Sequence, residues 1–208
     1  MMKDKDYIKE ISEIRSMMER SSKFLSLSGW AGILAGIYAL AGAVIAYKVF
    51  DFNPDKIIFN FSGRDGVSAI YINIILLAIM VLFLALTTAL YFTYKKSDKR
   101  GEKLWNSTSK RLLVNMAVPM VAGGVVIIVL IINGLTGLIA PFSLLFYGLA
   151  LFNASRLTIK EVEILGYVQI FLGLTGSLFV EYGLLLWALG FGVAHIIYGI
   201  YMYYKYER

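Results

Sequence analysis

Six side chains in or beside the apolar stretches of this sequence have chemistry to offer. Asn73, Asn115, Gln169, Thr175 and His195 lie inside long hydrophobic runs, and Glu181 occupies a short polar break between two of them. His195 is the only imidazole in the chain. In a water-poor setting such a ring can hydrogen-bond a neighbouring helix, relay a proton or sense pH. It stands at helical spacing from Gly192 and Gly199, so it is expected to point into a bundle. Gln169 falls between Gly166 and Gly173 on a similar small-residue face and invites the same reading. Pairing of His195 with Gln169 or with Asn115 is compatible with the spacing and does not follow from it. Glu181 reads either as a solvated loop carboxylate or as a cation-attracting group at a pore mouth.

Pro119 has no amide hydrogen to bond the carbonyl of Asn115 four residues earlier, so a kink is expected there. Together Asn115, Pro119, Gln169 and His195 form a candidate intramembrane polar site of the kind a small transporter or channel would use. Catalysis is not expected. The sequence has no HExxH, no GxSxG, no phosphate-binding glycine-lysine loop and no paired intramembrane aspartates. Gly173-Leu174-Thr175-Gly176 carries threonine where an intramembrane serine protease needs serine. The absence of cysteine removes disulfides and thiolate chemistry, and one histidine without an acidic cluster gives no basis for a metal or other cofactor.

The elements that must position these groups follow from composition. Of 208 residues, 59% are hydrophobic and only 16% charged, with a mean hydropathy of +0.71, which excludes an ordinary soluble globule. No Asp, Glu, Lys or Arg occurs from Leu112 to Ser155. A membrane-crossing helix needs about 20 apolar residues, and six segments qualify: 28–50, 67–91, 112–132, 138–154, 164–180 and 182–204. Each must satisfy its own backbone hydrogen bonds in lipid, so the expected fold is an all-α six-helix integral membrane bundle.

Orientation follows from the basic residues. With the N-terminus inside, 17 of the 20 Lys and Arg residues fall on the cytoplasmic side, leaving Lys48, Lys56 and Arg64 outside. Both termini are therefore expected in the cytoplasm, and the net charge of +6 reads as topology, with no nucleic-acid partner expected. Tyr91, Phe92, Tyr94, Tyr198, Tyr201, Tyr203, Tyr204 and Trp30 sit where an inner aromatic belt is expected. Small residues form packing faces at Gly32, Gly36, Ala39, Ala43 and Ala46, at Ala188, Gly192 and Gly199, and at Gly166, Gly173 and Ser177. One such face could also serve a homo-oligomer.

Residues 1–27 are expected to form a cytoplasmic amphipathic helix. Tyr7, Ile11, Ile14, Met18 and Leu25 make its apolar stripe, and Lys9–Glu13, Arg15–Glu19 and Glu19–Lys23 are supporting pairs. That stripe can lie on headgroups or dock on protein. The loop from Lys95 to Arg111 is basic around Trp105, suited to headgroup contact or to an acidic partner.

The stretch Ile14-Arg15-Ser16-Met17-Met18-Glu19-Arg20-Ser21-Ser22-Lys23-Phe24-Leu25-Ser26-Leu27-Ser28-Gly29, running into Trp30-Ala31-Gly32, resembles the opening of a family of uncharacterised bacterial multi-pass membrane proteins. The resemblance implies a bacterial inner-membrane location. Members are often encoded near a small winged-helix regulator, which implies a cytoplasmic regulatory protein as partner. No catalytic residue is carried over by it.

Overall fold

In a computed structural model, residues 27–50, 69–99 and 105–208 are described. The proposed stripe at Tyr7, Ile11, Ile14, Met18 and Leu25, and the middle of the basic loop, lie outside the described residues. The architecture is an all-α bundle: α1 (Gly29–Lys48), α2 (Ala69–Lys99), α3 (Ser107–Ile132), α4 (Ile139–Ser155), α5 (Lys160–Leu178), and a last long helix in three parts. Those parts are α6 (Gly183–Trp187), a π-helical segment (Ala188–Ala194) and α7 (His195–Tyr206). Single 3₁₀ turns, Thr136–Leu138 and Val180–Tyr182, lead into α4 and α6.

Several helices outrun their apolar spans. The second extends to Lys99, eight residues beyond the expected Tyr91, and the third begins at Ser107 in place of Leu112. An Asn106–Ser109 capping box explains the early start of α3: Ser109 N–H donates to Asn106 Oδ1 at 2.8 Å and Asn106 N–H to Ser109 Oγ at 2.9 Å. The fifth helix begins at Lys160, ahead of the expected Ile164. Its first-turn Lys160, Glu161 and Glu163 dilute its apolar character, so α5 is not among the five helices long and apolar enough to cross a membrane. Helix α3 continues through Pro119, which is buried.

Close backbone approach at glycine sets the packing. Gly29, Gly32 and Gly36 of α1 face Gly192 and Gly199 of the last helix. An added Cβ on Gly199 would stand 2.5 Å from the backbone nitrogen of Ile33 and 2.6 Å from the Gly29 carbonyl oxygen. Gly148 of α4 and Gly166 and Gly173 of α5 form an equivalent seam. The small faces expected on all three spans are thus buried between helices of one chain, save the half-buried Ala188 and Ser177; this arrangement lets dispersion hold helices together where lipid offers no hydrophobic drive. Helix α2 leans mainly on α1, and α3 on α4; both expose most of their apolar surface.

The helices run up and down, so their ends fall on two faces. Among the described residues, Lys95, Lys96, Lys99, Lys110, Arg111, Arg156, Lys160, Lys205 and Arg208 gather at one end, and only Lys48 lies at the other. Trp30 stacks edge-on against Tyr203 at the charged end, with ring centres 5.6 Å apart.

Candidate functional sites in the bundle and at its charged end

The π-helical segment is where α1, α4 and α5 converge. Its longer backbone ring bulges the helix, and Gly190 and Gly192 are the buried positions of the bulge, where they add no side chain. A Cβ at Gly190 would meet Leu144 of α4 and Gln169 of α5; one at Gly192 would collide with Leu40 of α1. Into this space point Gln169, fully buried, and His195, 6% exposed. They do not bond each other. Both bond the Gly190 carbonyl oxygen, Gln169 Nε2 donating at 2.8 Å and His195 Nδ1 at 2.9 Å.

A carbonyl only accepts, so the neutral imidazole carries its hydrogen on Nδ1 and presents a lone pair at Nε2. The Tyr147 hydroxyl of α4 donates to that lone pair at 3.0 Å. Phe191 stacks on His195 with ring centres 5.8 Å apart and also meets the Tyr147 ring, 5.1 Å away, so the three rings form one cluster. Nothing in the spacing singles out Tyr147, because a tyrosine in an apolar run reads as packing. Gln169 Oε1 is buried with no hydrogen-bond partner among the described residues, held against the Gly190 backbone. This arrangement fixes one tautomer and ties α4, α5 and the π-helical segment together.

Asn115 does not join it. Its side chain is exposed near the charged end of α3, and Pro119 is buried inside a continuous helix; of the four residues Asn115, Pro119, Gln169 and His195, the last two share a hydrogen-bond acceptor. Helical periodicity gave the facing of each residue on its own helix but not which helices become neighbours. Glu181 is exposed in its 3₁₀ turn, Asn73 is exposed, and Thr175 bonds back to the Phe171 carbonyl in its own helix at 2.8 Å.

A second polar constellation lies at the charged end and was not foreseen. Ser28 precedes α1 without capping it. The cap comes from the other end of the sequence: Glu207 Oε1 accepts the Gly29 N–H at 2.8 Å, and Ser28 Oγ donates to Oε2 at 3.4 Å. Lys96, at the end of α2, donates to Glu207 Oε1 at 2.9 Å and also to the Leu27 carbonyl. The Lys96 and Glu207 side chains are only 13% and 14% exposed. Partial burial pushes the Glu207 carboxyl up, but the bonds from Lys96, Gly29 and Ser28 outweigh it and hold the pKa below the ordinary value. A carboxylate at a helix N-terminus also meets the positive end of the α1 dipole.

Nearby, Lys205 and Tyr206 of α7 bond the Glu161 carboxylate at the start of α5. Burial raises that carboxyl too, and the Lys205 and Tyr206 bonds bring it below the ordinary value. Leu27 itself packs on a cluster of Leu112, Leu151, Ala154, Val162 and Leu165. The first described residues of the chain, the ends of α2 and α7, and the α4–α5 turn are therefore fastened to one another.

Helical ladders throughout, glycine seams, a sealed polar knot at mid-bundle and five helices of membrane-crossing length and composition define an integral membrane protein of the all-α class, in contact with a lipid bilayer. Comparison with family models, with curated proteins and with solved structures gave no match.

Proposed function

We propose that this chain is a non-catalytic interaction or signalling protein of a bacterial inner membrane, crossing it six times with both termini in the cytoplasm. Its partner would be a soluble cytoplasmic regulatory protein, engaged by the stripe at Tyr7 to Leu25. The observation that supports this reading most is the fastening of Leu27, Ser28 and Gly29 by Lys96 and Glu207. A segment that leaves the bundle from a fixed root has a defined position over the membrane surface, which lowers the ordering cost when a partner binds. The split of basic residues between the two ends supports the orientation.

Deletion of residues 1–25 tests the proposal. The truncated protein should insert and melt like the full chain, because every seam described above lies beyond residue 26, yet crosslinking in native membranes should no longer capture the soluble protein held by the full chain. Equal capture by both forms would contradict the reading. Ion or solute flux in proteoliposomes that His195→Ala abolishes would instead favour a small transporter or channel.

A further inference from the structure

Beyond any partner protein, we infer a specific site for an anionic phospholipid between the start of α3 and the α4–α5 turn. An open cleft of about 390 Å³ lies there, lined by Lys110, Arg111, Val114, Asn115 and Leu157. Three observations give it its ligand. First, neither Lys110 nor Arg111 forms an ion pair among the described residues, whereas Lys96 and Lys205 at the same end each hold a carboxylate. Lys110 lies over the face of Trp105, 5.8 Å from the ring centre, an aromatic of the kind that sits at headgroup level. Two adjacent cations, neither paired among the described residues, call for an anion.

Second, Asn115 stands one helical turn beyond Arg111 on the same face, about 6 Å deeper along the axis. Its exposed amide has no protein partner among the described residues. An amide facing lipid without a partner is unfavourable, and at that depth the polar groups on offer are the glycerol esters of a phospholipid. Third, the face continues away from the charged end as Val114, Val118, Val121 and Val125, all at least 55% exposed, a smooth track for an acyl chain. Phosphate at Lys110 and Arg111, ester at Asn115 and chain along the valines match one molecule from end to end. Free phosphate would use only the first part. Leu157 sits against the buried Leu112–Leu165 cluster, so the back wall of the cleft is part of the core.

Native mass spectrometry of the full chain, released from detergent with added phosphatidylglycerol or phosphatidylcholine, tests this. Wild type should retain phosphatidylglycerol in preference to phosphatidylcholine. Lys110→Gln with Arg111→Gln should weaken retention by about tenfold or more, in keeping with the usual worth of a basic residue near an anionic headgroup. Lys95→Gln with Lys99→Gln removes the same charge from the end of α2 and should change retention less than about twofold if the site is specific. Asn115→Ala alters no charge and should still weaken retention several-fold. The site is overturned if both double variants lose lipid equally, if Asn115→Ala has no effect, if phosphatidylcholine is held as well, or if inorganic phosphate displaces the lipid. These substitutions fall on exposed residues, and unchanged melting of each variant separates loss of the site from loss of the fold.

Discussion

Gly199→Ala is expected to lower the melting temperature of the purified protein sharply. The new carbon would stand 2.5 Å from one backbone atom of α1 and 2.6 Å from another. No side chain can rotate away to make room, so α1 and α7 must separate along their length. Overpacking of this kind costs about 1–3 kcal/mol and often more where backbone is struck, and a seam that relies on dispersion loses contacts on both sides of the gap. The separation would also stretch the Glu207 bond to Gly29, so the clamp should loosen with it. Gly124→Ala is the matched control. It lies in α3 with nothing within 4 Å of the added carbon, and alanine there should hold or raise the melting temperature, since alanine favours helix over glycine by about 1 kcal/mol. A melting temperature unchanged in Gly199→Ala would mean that the two helices are not packed at the described distance.

Glu207→Ala carries the second large effect. It leaves the Lys96 ammonium nearly buried with only the Leu27 carbonyl, and the Gly29 N–H without its acceptor. Allowing for water at the membrane surface, the loss is about 1–3 kcal/mol, or roughly 3–10 °C in a chain of this size. Lys96→Met combined with Glu207→Leu should recover part of it, because removing both charges leaves neither unpaired. The pH dependence has a definite sign. The folded pKa of Glu207 is depressed, so its contribution is complete above the ordinary glutamate value of 4.5 and is lost as the pH falls through the lower folded value. The gap in melting temperature between wild type and Glu207→Ala should therefore be widest near neutral pH and close in acid. A gap that widens in acid would contradict the clamp.

The two sites differ in how far the sequence reveals them. Spacing from Gly192 and Gly199 places His195 on the inner face, and Gly166 and Gly173 do the same for Gln169; both are buried there. Their common acceptor could not be read, because the Gly190 carbonyl becomes available to side chains only where the helix takes π geometry. Tyr147, 48 positions before His195, is joined to it by tertiary packing alone. Lys96 and Glu207 are 111 positions apart, and each looks like an ordinary charge beyond the end of an apolar run. The helices themselves are legible as long apolar runs, and five of them have the length and composition to cross a membrane. Their ends were less so, since α2, α3 and α5 continue into charged sequence where capping and ion pairing take over from hydropathy. Asn115 shows the limit of reading polar residues as interior: it faces outward beside the basic cleft.

The claim on which the rest depends is that the bundle crosses the membrane with its charged end in the cytoplasm, α5 included. The chain contains no cysteine, so single cysteines report position without background. Val49→Cys follows α1 at the end opposite the clamp, and Arg208→Cys follows α7 beside it; five crossings separate the two sites if α5 spans the bilayer. A membrane-impermeant maleimide applied to spheroplasts should label Val49→Cys at once and Arg208→Cys only after permeabilisation. Labelling of both from the outside would contradict the six crossings, and labelling of Arg208→Cys alone would contradict the orientation.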